Sequence, residues 1–219
     1  MMQPISSCLH AVVLALSMPV LGWSQNNCPP ARLNDPDSTL LARLSEDTTD
    51  PGTVGSIERE MECRAPVPTL IVAFNGPKNP YQRARILDIL YHIDDARVAA
   101  LMRTCASAER EEEPYYCTMY LAKHGDTTAL AVLNQNYYAY PISSWEWSYA
   151  VALFGTFRYR PATANLLESL YAASLNVVFA ADSALRELYP KGPKGQWPPD
   201  SLKAHWTRYL RQIGALARD

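Results

Sequence analysis

The chain has 219 residues, with 20 Lys and Arg against 22 Asp and Glu, a formal net charge of −2 and 48% apolar residues. Near neutrality argues against a nucleic-acid binder, which needs a basic face to release phosphate counterions, and gives no attraction to anionic membranes. The length and apolar content suffice for one domain with a full hydrophobic core.

The first 24 residues contain no Asp, Glu, Lys or Arg, and their centre from Leu9 to Leu21 is an apolar run too short to span a bilayer. This pattern predicts a secretory signal peptide over residues 1–24, although its start has no Lys or Arg. Gly22 and Ser24 are small residues spaced as at a cleavage site, which makes Gln25 the expected mature N-terminus. Cys28 follows Gln25-Asn26-Asn27 and not the small residues that precede a lipid-anchored cysteine. The expected location is therefore periplasmic or secreted, with no membrane insertion after cleavage. Residues 25–37 read as a tail, and 38–219 as a single helical domain.

Strand signals are nearly absent, whereas apolar residues recur three and four apart throughout. The pattern predicts an all-α chain, with helices at about 38–47, 54–63, 66–75, 80–93, 95–106, 114–124, 126–138, 144–157, 161–173, 177–189 and 200–213. Asn79-Pro80, Glu113-Pro114 and Arg160-Pro161 place proline at a helix start. Ser143 to Glu146 reads as a capping box, and Asp95, Asp126, Asn176 and Asp200 as further caps. The acidic stretch Glu109 to Glu113 reads as a solvated loop. The Pro- and Gly-rich stretch from Tyr189 to Pro199 reads as a longer crossing. Most other connections are short, so successive helices are expected to fold back as antiparallel hairpins.

Without Cys8 of the signal, an even set of cysteines remains: Cys28, Cys63, Cys105 and Cys117. An oxidising compartment favours two disulfides from three possible pairings. The expected pairs are Cys105–Cys117, closing a helix-to-helix turn, and Cys28–Cys63, tying down the tail. No spacing among them matches a zinc site.

Leu90, Leu121, Leu153 and Leu185 recur with a period of about 32 residues. Leu101, Leu133 and Leu166 follow in the second helix of the first three pairs. Residues 83–102, RARILDILYHIDDARVAALM, and 120–133, YLAKHGDTTALAVL, share the order helix, aspartate-containing turn, helix. These segments resemble the HEAT repeat, in particular the short repeats of the phycobilisome-lyase type, over about residues 66–189. The resemblance implies a right-handed α-α superhelix of antiparallel helix pairs for residues 38–219. It implies no lyase activity, because it lies in core positions and an exported chain would not meet that intracellular substrate.

The histidines outside the signal, His92, His124 and His205, are scattered over different helices. No nucleophile elbow, phosphate-binding glycine loop or dinucleotide fingerprint occurs. His124-Gly125-Asp126 reads as a corner, with Gly125 ending one helix and Asp126 capping the next. No catalytic residue, metal site or cofactor is expected. The segment from Tyr137 to Tyr149 holds six aromatic residues, and Tyr137, Tyr138, Tyr140, Trp145 and Trp147 are the expected partner-binding residues. Trp145, Tyr149 and Leu153 share one helical stripe while Trp147 and Val151 lie on another, so at least one tryptophan is expected near the surface. Trp197 and Trp206 are expected to seal the end of the stack. The expected role is an exported, non-enzymatic protein–protein interaction module of the scaffold or adaptor kind. Two alternatives are a periplasmic inhibitor or immunity protein neutralising a secreted toxin or hydrolase, and a hydrolase or lyase using His124 and Asp126.

Overall fold

The structure, a computed structural model, describes residues 35–44, 51–76, 80–107, 113–137, 144–195 and 197–216. Among the described residues all regular structure is helical, as the apolar periodicity predicts. In chain order the helices are α1 (Asp37–Leu44), α2 (Pro51–Arg64), α3 (Val67–Asn75), α4 (Pro80–Tyr91), α5 (Ala96–Ala106) and α6 (Glu113–Lys123). They continue with α7 (Thr127–Gln135), α8 (Ser144–Thr156), α9 (Thr163–Ser169), α10 (Leu175–Leu188) and α11 (Pro199–Gln212), with a 3-10 turn at Arg160–Ala162 before α9. The chain divides into two compact units, Met1–Val98 and Ala99–Asp219.

In the first unit, α4 packs against α1, α2 and α3. Leu40, Leu44, Ile57, Met61, Leu70, Phe74, Ile86 and Leu90 form its core. The polar edge of α4 satisfies carbonyl groups near the ends of its neighbours, which have no partner within their own helix. Gln82 Nε2 donates to the Leu41 carbonyl at 2.8 Å, Arg85 Nη1 to that of Leu44 at 2.8 Å, and Arg83 Nη1 to that of Phe74 at 2.6 Å. The Arg83 guanidinium also lies 3.9 Å from the centre of the Phe74 ring, where the negative ring face attracts it. Arg64 joins the ends of α1 and α2 by donating to Glu60, to Asp37 and to the Asp35 carbonyl. Asp95 then starts α5 as expected. Its Oδ1 accepts from the Arg97 amide at 2.7 Å, and the Arg97 guanidinium grips both carboxylate oxygens.

In the second unit, α6 is tied to α5 by the expected Cys105–Cys117 disulfide, whose cysteines are 12 residues apart. A loop of that size contributes about 3 kcal/mol by restricting the unfolded chain. The other expected bond, Cys28–Cys63, involves Cys28, which lies outside the described residues. α6 packs on α7, α8 contacts both and packs broadly on α10, and α9 contacts α10 and α11. A β-carbon at Gly155 of α8 would lie 2.6 Å from Ala184 Cα, so glycine lets α8 and α10 approach closely. Asn165 on α9 donates to the backbone carbonyl and side-chain oxygen of Asn134 on α7 at 2.9 and 2.8 Å. The repeating leucines are core residues: Leu90 in the first unit and Leu121, Leu153, Leu185, Leu133 and Leu166 in the second are buried. Leu101 is half-buried.

Several expected boundaries shift, among them the start of α2 at Pro51 and the end of α7 at Gln135, and three of the shifts have a visible cause. Asn176 does not cap α10, which starts one residue earlier at Leu175 behind Ser174. Asp200 lies inside the first turn of α11, because the fixed φ of Pro199 already suits a helix and Pro198 precedes it. The helix expected at 161–173 is shorter, since the amides of Leu170, Tyr171 and Ala172 turn to carbonyls three residues back and tighten its end. Asn79 and Ser143 lie outside the described residues.

Candidate interaction surface

The corner at His124 is built as a helix stop and start. The Asp126 amide bonds the Leu121 carbonyl and the Gly125 amide that of Ala122, which is the paired pattern of a Schellman cap. Gly125 has φ +82°, the left-handed conformation this cap requires. Asp126 Oδ1 accepts from the amides of Thr128 and Ala129 at 2.9 and 3.1 Å, capping α7. The His124 ring is exposed and lies 4.4 Å from that of Tyr120. The Asp126 carboxylate is therefore occupied in holding the helix start. His92 belongs to the first unit.

The expected partner-binding residues separate. Tyr137 is a core residue, 3% exposed, with its hydroxyl bonded to that of Ser169 on α9. Burial removes it from any docking role and makes it a packing contact between two helix pairs. Trp147 is half-buried, its ring 4.5 Å from Tyr137 and 6.4 Å from Tyr115. Its stripe continues inward through the buried Val151. Tyr138, Tyr140 and the Trp145 side chain lie outside the described residues. From the same segment Tyr149 reaches solvent and is 44% exposed.

Other large apolar side chains of the second unit also stand in solvent. Tyr171, just beyond α9, is 64% exposed, and Leu175 in the first turn of α10 is 56% exposed; Phe179, one turn on, is also exposed. By contrast Trp206 is fully buried, and its Nε1 donates to Asp182 Oδ1 at 2.7 Å. A β-carbon at Gly192 would overlap the Trp206 ring, and the Trp197 ring stacks on His205 at 4.5 Å. The long crossing is thus pinned onto α11 by the two tryptophans.

Two clefts flank α11. One, about 690 Å³, is lined by Tyr171, Lys203, Ala204, Thr207, Arg208, Arg211 and Gln212. Lys203 Nζ lies 4.1 Å from the centre of the Tyr171 ring and 2.9 Å from each carboxylate oxygen of Glu168. The other, about 700 Å³, takes Arg160, Lys191, Tyr189, Tyr209 and Ile213 among its walls, and Thr163 Oγ1 lies 2.8 Å from the Tyr189 hydroxyl. The sequence reading missed this surface. The basic residues of the first cleft, Lys203, Arg208 and Arg211, all come from α11 and are a visible local cluster in the sequence, whereas Arg160 and Lys191 of the second cleft come together only through the fold.

Among the described residues no three His, Cys, Asp or Glu side chains converge as metal ligands. Nor is any described helix long and apolar enough to cross a membrane. Compared with known proteins, the chain matches no family model, no curated protein and no solved structure.

Proposed function

We propose that this chain is an exported, non-enzymatic protein-binding module, a HEAT-like right-handed superhelix of helix pairs that acts as a scaffold or adaptor. The observation that carries the reading is the set of large side chains held in solvent on the second unit, Tyr149, Tyr171, Leu175 and Phe179. Tyrosine and phenylalanine supply wide contact area at low entropic cost and dominate protein interfaces. In sequence, Tyr138, Tyr140 and Trp145 belong to the same aromatic segment as Tyr149. The superhelix is favoured by the buried leucines of period about 32 and by the Asn165–Asn134 bridge between second helices. Export is favoured by the uncharged apolar leader and by the Cys105–Cys117 disulfide, a bond that persists in oxidising compartments.

Two experiments test this. Mass analysis of protein expressed with its full N-terminus should find a chain starting at Gln25 outside the cytoplasm; a chain retaining residues 1–24 in the cytoplasm would refute export. Affinity capture from periplasmic or secreted extract should recover a stoichiometric protein. Tyr149→Ala, Tyr171→Ala or Leu175→Ala should reduce that recovery, by about ten-fold where the residue is a hot spot. Failure to recover any stoichiometric partner, or recovery indifferent to all three changes, would refute the binding role.

A further inference from the structure

We infer that the Cys105–Cys117 disulfide is a redox-controlled strap: it holds the last two turns of α5 to α6, and a dithiol reductant releases them while the rest of the second unit stays folded. This goes beyond the protein-binding reading and does not depend on what the exposed side chains bind. Its basis is an asymmetry between the two helices that the bond joins. Every residue of α6 from Cys117 to Ala122 is buried, as is Tyr115, and the helix packs on α7 and contacts α8. α5 is held far less. Of its residues in the second unit, 99–106, only Met102 and Cys105 are buried, and α5 packs broadly on no other described helix.

Polar side chains add little to this attachment. Arg103 is exposed, and Thr104 Oγ1 bonds the Ala100 carbonyl of its own helix at 3.4 Å. The first turn of α5 is fixed separately, by the Asp95 cap and the buried Val98 in the first unit. Two helical turns with one buried apolar side chain besides the cysteine do not hold themselves in water, because a short helix gains too few bonds to offset the ordering of its chain. Tertiary attachment has to supply the difference, and at this end of α5 the covalent bond to Cys117 supplies it.

Burial of the two cysteines decides which helix moves. Cys105 is 6% exposed and Cys117 is fully buried, so a reagent meets the bond only after one helix lifts. α6 cannot lift without opening the core of the second unit, whereas α5 can. A thiolate of the dithiol then attacks one sulfur and displaces the other as a thiolate, forming a mixed disulfide; its second thiol closes a ring on that bond and frees the first sulfur. Two electrons pass to the cysteines, which end as two thiols, and the reagent ends as a cyclic disulfide. Met102 is then the only buried apolar anchor of residues 99–106. In an oxidising compartment the strap stays closed.

The test is amide hydrogen exchange on the whole protein, read by mass spectrometry before and after dithiothreitol, with alkylation of the freed thiols to show that the bond is broken. Exchange over residues 99–106 should rise about ten-fold or more on reduction, while α8 and α10 keep their protection. The double change Cys105→Ala with Cys117→Ala touches this bond alone and should give the same exchange pattern without reductant. Dithiothreitol should then add nothing over residues 99–106 of that variant. Unchanged protection of 99–106 with both thiols alkylated would show that packing, and not the bond, holds α5. Parallel loss of protection in α8 and α10, or failure of the double variant to fold, would make the bond a support of the whole unit and overturn the strap. A bond that resists dithiothreitol until the second unit unfolds would overturn it as well.

Discussion

Gly125 and Arg158 pose the same backbone problem with opposite residue choices. Each lies just beyond the end of a helix in the left-handed region, Gly125 at φ +82° and Arg158 at φ +49°. The Arg158 corner repeats the paired bonds of the Gly125 corner, with Tyr159 bonded to the Phe154 carbonyl and Arg158 to that of Gly155. A β-carbon in this conformation crowds the following carbonyl, so Gly125→Ala is expected to cost about 1–2 kcal/mol. The added methyl would also sit 3.3 Å from the Phe157 ring. Arg158→Gly should move the other way, by about 0.5–1 kcal/mol, because relieved strain outweighs added chain entropy in the unfolded state. Denaturant midpoints of the two variants should shift in opposite directions; a common direction would remove the strain argument. Asp95 belongs to this scale too. Hydrogen bonds from the Arg97 guanidinium and amide hold its carboxyl down from 3.8 to about 2. The folded state therefore prefers the charged form, and the resulting stability is present above pH 3.8 and lost as pH falls toward 2. Asp95→Asn should melt below the parent at neutral pH, with a gap that closes over that interval. A gap independent of pH would show that the ion pair contributes nothing.

At the level of elements, packing reverses a propensity rule at Gly155. Glycine inside a helix is worse than alanine by about 1 kcal/mol, so Gly→Ala normally stabilises. Gly55 on α2 has nothing within 4 Å of its virtual β-carbon, and Gly55→Ala should gain about 0.5–1 kcal/mol. At Gly155 the same methyl would meet Ala184 Cα at 2.6 Å, a backbone atom that cannot swing away. α8 and α10 would have to part, and Gly155→Ala should lose about 1–3 kcal/mol despite the gain in propensity. Opposite signs in thermal melts of the two variants confirm this; a gain at both sites refutes the close helix approach. The same balance explains what the sequence made legible. Helix existence was readable because apolar residues recur on one stripe and because Asp95 and Asp126 have no better use than capping. Asn176 and Asp200 were misread because neighbouring residues started their helices first. Periodicity placed Trp147 and Trp145 on different stripes but did not say which stripe faced inward. That depended on Tyr115 of α6 and Tyr137 just beyond α7, which approach Trp147 from elsewhere in the chain. Tyr137 itself looked like a surface aromatic, since its partner Ser169 lies 32 residues on in sequence.

For the molecule as a whole, the division into two compact units has a consequence for unfolding. Each unit has its own buried leucines, among them Leu90 in the first and Leu185 in the second. Trp145, Trp147, Trp197 and Trp206 all fall in the second unit, and in the chain from Gln25 they are the whole tryptophan complement. In protein prepared from Gln25 onward, which lacks Trp23, tryptophan emission therefore reports the second unit, whereas far-ultraviolet circular dichroism reports helices in both. Truncating a buried leucine to alanine removes its transfer energy and leaves a cavity, at a cost of about 2–5 kcal/mol. If the units unfold separately, Leu185→Ala should lower the emission midpoint in denaturant. Leu90→Ala should lower the early part of the circular dichroism transition and leave emission where it was. Equal shifts of both signals by either substitution would mean one cooperative transition. Two compact clusters of contacts would then describe a single energetic body, as expected for stacked helix pairs whose interfaces are as strong as their interiors.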